Sequence, residues 1–354
     1  MKDNKIIIAI DAMGGDDAPF TIIEGISIAL HKDKDKNLFF NIYGNKATVM
    51  PVIKKFKNLN GNYEFFHTDS VITNEDKPAN ALRNGRESSM RLAINSVKDG
   101  LSHAVVSAGN TGALMAMSKF VLTSIKGIDR PAIVTYIPTR KNPCVILDLG
   151  ANSECSAEQL LQFAIMGDAF AKSLLDIKEP TIGLLNIGSE SIKGNKIVQD
   201  TSELLLKHQH HLNYKGFAEG HDIFKGNFDV IVADGFTGNI TLKVIEGTVS
   251  FIKYKILSTF RGNYLSYPWL ALTLAFSFLR IKKTAKEVDP RLYNGAMLVG
   301  LDGISIKSHG GADKISFSNA IKVAKKLVVA KINDKIKYEL QSLPDINSNS
   351  ENHN

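Results

Sequence analysis

Residues 228–248 read FDVIVADGFTGNITLKVIEGT. Residues 230–233 are a short, wholly apolar and mostly β-branched run, which predicts a strand buried on both faces, as in a parallel sheet. The run stops at Asp234-Gly235. After Phe236, the residues Thr237, Gly238 and Asn239 lead into a helical pattern with Ile240, Val244, Ile245 and Val249 on one face. A strand, a glycine turn and a helix in that order aim free backbone N–H groups, at the positive end of a helix dipole, toward one point. That arrangement suits an anion. Lys243 lies one helical turn beyond Asn239, so both can face the same mouth. Taken alone, the stretch reads equally as a plain β–α connection with a Thr or Asn cap. What shifts the balance is that the construction recurs.

Strand patterns fall at 5–10, 39–43, 63–67, 103–106, 132–137, 145–147, 181–185, 214–218 and 230–233, with a last pair at 296–301 and 304–307. Helical patterns alternate with them, the final one spanning 314–340. Strand–helix alternation predicts a mainly parallel sheet covered by helices on both faces, with the site at the carboxyl ends of the strands. Five turns after predicted strands combine glycine with Asn, Asp, Ser or Thr: residues 11–16, 107–112, 148–152, 186–195 and 234–239. Converging on one edge of the sheet, they would form a large site lined by N–H donors and amides, suited to phosphate oxygens and to a carbonyl gaining negative charge. Lys193 lies on a loop beside Gly194 and has little reason to be there for packing. His309 opens a glycine turn and reads first as a turn-capping residue.

The chain has 354 residues, 44% hydrophobic and 22% charged, with a formal net charge of +7. That is an ordinary globular composition. The basicity is mostly lysine and points to an acidic partner, a phosphate or an anionic membrane. No nucleic-acid-binding signature is present, so no nucleic-acid partner is expected. Cys144 and Cys155 form neither a C-x-x-C pair nor a metal spacing, and no signal peptide is apparent, which predicts a reducing cytoplasm. There is no G-x-G-x-x-G after the first strand and no Walker-type loop. No G-x-S-x-G elbow and no H-E-x-x-H cluster occurs. No metal and no cofactor is expected. What remains is a site that binds and positions anions. One expected unit spans residues 1–343, with a soft internal boundary and a helical segment at about 250–285, followed by a disordered polar tail at 344–354.

DAMGGD at 11–16, SAGNTGA at 107–113, RPA at 130–132, LDLGAN at 147–152, KGN at 193–195, DGFTGN at 234–239 and the HGG turn at 309 occur in this order. Together they closely resemble the bacterial PlsX phosphate acyltransferase family over about residues 5–335. The resemblance implies an α/β fold like that of the isocitrate and isopropylmalate dehydrogenases and the phosphotransacetylases. It implies conversion of fatty acyl-[acyl carrier protein] and inorganic phosphate into acyl phosphate, feeding a membrane glycerol-3-phosphate acyltransferase in phospholipid synthesis. It further implies a cytoplasmic homodimer attached peripherally to the membrane. Asn294 departs from the family, which usually has a second glycine there.

On this reading Lys193, Asn239, Asp234 and Lys243 are the catalytic candidates. Asp11, Gly14, Gly15, Ser107, Asn110, Thr111, Asn152, Asn195, Gly238 and His309 are candidates for holding phosphate or substrate. Arg83, Arg86, Arg91, Lys253 and Lys255 are candidates for steering an acidic carrier protein. A decarboxylating dehydrogenase of the same fold would need NAD and an acidic metal cluster, and a non-catalytic binding module would need no row of anion-binding turns. Within residues 264–283, YLSYPWLALTLAFSFLRIKK, only 269–279 are nearly all apolar, too short to span a bilayer, which takes about 20 apolar residues. A thin polar stripe (Ser266, Thr273, Ser277, Arg280, Thr284), an apolar remainder and basic flanks describe a helix lying in a membrane surface. Trp269, Leu270, Leu274 and Phe278 would make the contact. A buried core or dimer helix is the other reading of this segment.

Overall fold

A computed structural model describes residues 5–259 and 289–342. Among the described residues, eleven strands form one sheet. They are β1 (Ile6–Asp11), β2 (Leu38–Gly44), β3 (Tyr63–His67), β4 (Ala104–Ser107), β5 (Ala132–Ile137), β6 (Cys144–Leu147), β7 (Ile182–Leu185), β8 (Tyr214–Ala218), β9 (Val230–Val232), β10 (Ala296–Val299) and β11 (Ile304–Lys307). The order across the sheet is β3-β2-β1-β4-β11-β10-β5-β6-β9-β7-β8. The helices are α1 (Phe20–Lys32), α2 (Lys46–Ile53), α3 (Pro78–Asn84), α4 (Ser89–Lys98), α5 (Thr111–Leu122), α6 (Ala157–Leu174), α7 (Lys196–Lys207), α8 (Gly235–Thr259), α9 (Lys314–Val329) and α10 (Ile332–Gln341).

The sheet is buried on both sides, and residues of one strand alternate between two cores. Ile8 and Ile10 pack with Phe40, Val106, Phe163, Phe170 and Phe317 under α1, α6 and α9. Ala9 and Val105 pack with Met90, Ile94, Leu114 and Met117 under α4 and α5. Short strands with no polar face follow from that double burial. Each fully buried Phe or Ile contributes about 1.5–3 kcal/mol relative to exposure.

The sheet is not of one polarity. β3, β2, β1, β4 and β11 run parallel. β10 is antiparallel to both β11 and β5, and β5 is antiparallel to β6. β6, β9, β7 and β8 are again parallel to one another. Two parallel blocks therefore point in opposite directions. The chain passes between them twice, at neighbouring places: Ser124 bridges Leu301, the Ile125 N–H donates to Gly300 O at 2.9 Å, and the Asp302 N–H donates to Thr123 O at 3.0 Å.

Three local expectations need correction. Between the strands at 63–67 and 103–106, where alternation predicts one helix, there are two: residues 78–84 form α3 ahead of α4, because Pro78 sits at a first helical turn where its missing N–H costs nothing. The last helix is two, broken at Lys331 with φ +51°. Of the apolar face marked on α8, all but Ile245 turn outward. Ile240, Val244 and Val249 are 48%, 61% and 37% exposed, while Leu242 and Ile245 pack on the core. Cys144 and Cys155 are free and buried. Trp269, Leu270, Leu274, Phe278 and the tail lie outside the described residues.

Candidate active site

The five turns do not converge on one edge. Reversal of polarity at β10 and β5 sends the carboxyl ends of β1, β4 and β11 to one end of the sheet and those of β6, β7 and β9 to the other. Asp11, Gly14, Gly15, Ser107, Asn110, Thr111 and His309 thus lie apart from Asn152, Lys193, Asn195, Asp234, Gly238, Asn239 and Lys243.

At the first end the polar groups are spent on one another. Asp11 is buried and accepts hydrogen bonds from Ser89 Oγ (2.6 Å), Ser107 Oγ (2.7 Å) and the Met13 N–H (3.2 Å). Burial pushes its carboxyl up from the ordinary value. A side chain at Gly14 would strike the Gly109 N at 2.6 Å, so the two glycine turns pack backbone against backbone. Asn110 Nδ2 donates to the carbonyls of Thr73, Asn74 and Asp76, and its Oδ1 caps α5 through the Ala113 N–H. Thr111 is exposed at the first position of α5. His309 is a turn cap, its Nδ1 accepting from the Gly311 N–H at 3.2 Å. Asn294 explains its own presence: it accepts from the His309 N–H and donates to Ser308 Oγ and Ser316 O.

Sequence reasoning passed over Lys307, which is buried at the end of β11. Its Nζ donates to the carbonyls of Ala108 and Ser308. Loss of hydration lowers it to about 8, opposed by the nearby charges of Asp11 and Asp16. Alternation along a short strand gives no sign that a lysine at its last position turns inward. Arg86 and Arg91 flank Ser89, whose hydroxyl donates to Asp11, and Arg91 is turned to Asn95 and the Phe120 ring.

The second end has the character of a site. Asp148 is fully buried and its carboxylate gathers a whole loop: Oδ1 accepts from the N–H groups of Ile133, Gly150 and Ala151, and Oδ2 from Asn152 N and Nδ2. Burial raises its pKa against those bonds. Asn152 then reaches two other segments, donating to Pro131 O at 2.9 Å and accepting from the Gly235 N–H at 2.7 Å. A Cβ on Gly238 would collide with Asp148 O. The first turn of α8 is therefore seated directly on the Asp148 loop, and Asn239 rests against Gly150, whose φ of +122° calls for glycine. Asp234 caps α8 through Thr237, accepting from its N–H and its Oγ, both at 2.8 Å.

The neighbouring turn, after β7, carries Lys193 and Asn195. Asn195 caps α7, its Oδ1 accepting from the Val198 N–H at 2.9 Å. The starts of α7 and α8 thus stand side by side. Between them opens a cleft of about 340 Å³ lined by apolar Leu160, Leu184, Leu185, Val198 and Ala233 and by polar Asn186, Asn195, Asp234 and Thr237. Lys193 is exposed and forms no ion pair among the described residues. Lys243 is also exposed, but its Nζ is held by Glu246 at 2.8 Å, one turn along α8. Among the described residues no group of three or more His, Cys, Asp or Glu is placed to hold a metal ion. Two helix N-termini, uncommitted lysine charge and an apolar floor can hold an anion beside a greasy group.

The profile of the family described as "Fatty acid synthesis protein" matches residues 6–335. The "Phosphate acyltransferase" of Rhodospirillum rubrum is 46% identical over 338 residues, covering 95% of both chains. The chain belongs to the phosphate acyltransferase family. It is an acyltransferase of fatty-acid and lipid synthesis. The "Phosphate acyltransferase" of Anaplasma phagocytophilum is 46% identical over 326 residues, covering 92% of this chain and 93% of its own. Among solved structures, a phosphotransacetylase from Streptococcus pyogenes superposes with a TM-score of 0.61 at 16% identity, over 92% of this chain and 95% of that one. This likeness bears on the fold, and it agrees with the α/β architecture that the phosphate acyltransferase motifs imply.

Proposed function

We propose that this chain transfers the acyl group of a fatty acyl-[acyl carrier protein] to inorganic phosphate, early in phospholipid synthesis. A phosphate oxygen attacks the thioester carbonyl, the new C–O bond forms, and the C–S bond breaks. The carrier leaves as a thiolate that takes up a proton. The observation that carries this reading is the cleft between the starts of α7 and α8, with Lys193 beside it, in a chain of this family.

Phosphate is already an anion at neutral pH, so it needs placing more than activating. The thiolate leaves readily, because thiol pKa values lie near ~8.5. Lys193 and the α7 N-terminus hold the phosphate, and the turn with Gly238 and Asn239 faces the carbonyl oxygen as it gains charge. Asp234 fixes that turn. The apolar floor takes the first carbons of the acyl chain. No step draws on a cofactor or a metal. A homodimer in the cytoplasm, attached to the membrane surface, would pass acyl phosphate to a glycerol-3-phosphate acyltransferase in the bilayer. No helix among the described residues is long and apolar enough to cross a membrane.

The test is incubation of long-chain acyl carrier protein with phosphate while free carrier thiol is measured. Thiol should appear only with phosphate present, matched by acyl phosphate. NADH formation from a hydroxy acid would instead identify a dehydrogenase, and absence of any turnover a binding module.

A further inference from the structure

Lys193 sits on a loop with almost nothing apolar to hold it down. Ile187 and Ile192 are 82% and 80% exposed. A loop without buried apolar contacts opens locally at little cost, and a lysine on it adds the freedom of four rotatable bonds. Yet the loop is tied at several points by two side chains that stand on rigid elements.

Asn186, just past β7, is anchored by its own N–H, which donates to Ala218 O at 2.8 Å. Its Oδ1 accepts from the Ile187 N–H at 2.8 Å, and its Nδ2 donates to Lys193 O at 3.1 Å. One amide thus closes the loop from its first residue to Lys193. Gln199, in the first turn of α7, donates from Nε2 to Ile192 O at 3.0 Å and to Gly194 O at 3.3 Å. The carbonyls on both sides of Lys193 and its own are all claimed. The steric contacts agree. Gly194 adopts φ +91°, and a Cβ there would collide with Asn186 Oδ1. A Cβ on Gly188 would lie 3.1 Å from Lys193 Cγ, so the lysine stem lies across that glycine.

We infer that Asn186 and Gln199 are positioning residues that hold Lys193 at the cleft and act on the reaction through it, which rests on the acyl-transfer reading above. Two amides take the place of a hydrophobic anchor. They fix the backbone at 192–194 and leave the ammonium as the part that meets the substrate. A displacement of the lysine by about 1 Å is enough to cost on the order of 10²-fold in rate.

The experiment combines a double-mutant cycle with hydrogen exchange on the full-length enzyme. The variants are Asn186→Ala, Gln199→Glu (same shape, donor lost), Lys193→Ala and the Asn186→Ala/Lys193→Ala pair. Asn186→Ala should lower kcat about tenfold or more with KM for acyl carrier protein little changed, as loss of a hydrogen bond that orders a reacting group implies. Gln199→Glu should move in the same direction. The pair should be no slower than Lys193→Ala alone, since removal of the lysine leaves nothing to position. The amides of Ile187 and Lys193 should exchange at least about tenfold faster in Asn186→Ala, while Leu184 in β7 keeps its protection. Fully additive losses in the cycle would overturn the inference, and so would unchanged exchange in the loop. Wild-type turnover in Lys193→Ala would sink the acyl-transfer role of the lysine itself, and the inference with it, whatever the loop exchange shows.

Discussion

Two lysines of this chain stand in opposite surroundings, and each makes its own prediction. Lys193 is in water, beside a cleft, without an ion pair among the described residues. Its removal should leave the fold intact and lower turnover by at least ~10²-fold, the scale for losing one group that stabilises a developing charge. Steady-state kinetics of Lys193→Ala alongside its circular dichroism checks both halves, and unchanged turnover would remove it from the mechanism. Lys307 is buried and brought down to about 8 from an ordinary 10.5. Below pH 8 the folded and unfolded chains both carry its charge. Between about 8 and 10.5 the folded chain has released a proton that the unfolded chain still holds, so this site's contribution to stability rises with pH across that window. The gain is at most about 3 to 4 kcal/mol, since each pH unit of the window adds about 1.4 kcal/mol. Urea unfolding of wild type and Lys307→Met should therefore diverge in favour of wild type from pH 8 to 10. A constant difference between the two proteins would contradict the burial argument.

Among the elements, α8 is seated on the Asp148 loop at Gly235, Gly238 and Asn239, and the tightest of these approaches is at Gly238. Gly238 has no room for even a methyl group, because Asp148 O occupies the space. Gly238→Ala must lift the first turn of α8 off the Asp148 loop, separating Asn239 from Gly150 and opening the cleft. Overpacking of this kind costs about 1–3 kcal/mol or more, so the melting temperature should fall by several degrees and activity should fall further than stability does. A variant with normal activity would show that the seating does not matter. The residues 228–248 announced the strand and the helix, because a β-branched run followed by Asp-Gly is a local signal, but the glycine turn expected at 234–239 is already the first turn of α8 from Gly235 onward. They did not announce which face of α8 turns outward. Periodicity marks an apolar face but not its partner, and α8 rests on the sheet only near its start. Asn186 and Asp148 were visible as turn residues, yet their roles depend on hydrogen bonds to segments far away in sequence. The grouping of turns failed for a related reason: local patterns carry strand positions but no strand direction.

At the scale of the whole molecule, the outward face of α8 leads into residues 260–288, where the membrane expectation lies. The exposed side chains of Phe236, Ile240, Val244 and Phe251 show that apolar surface is already unburied along α8. If the following segment lies in a membrane surface, Leu274→Glu with Phe278→Glu should release the enzyme from anionic liposomes while activity on acyl carrier protein in solution persists. Co-sedimentation with vesicles measures the first effect and the thiol assay the second. Precipitation or loss of native size in that double variant would place the segment in a core or an interface instead.

The reversal of strand direction has a consequence for how the chain is built. Among the described residues, the chain enters and leaves the cleft-bearing block side by side, where Asp302 donates to Thr123 and Ile125 to Gly300. Everything between those two crossings is, in construction terms, an inset in the parallel block β3-β2-β1-β4-β11, whose β4 and β11 are neighbours despite their distance in sequence. Thr123 and Asp302 mark a splice point. A sequence of unrelated length grafted there would begin and end within hydrogen-bonding distance, and the five parallel strands would ask of it only the apolar cover that Phe163 and Phe170 of α6 now give to Ile8 and Ile10.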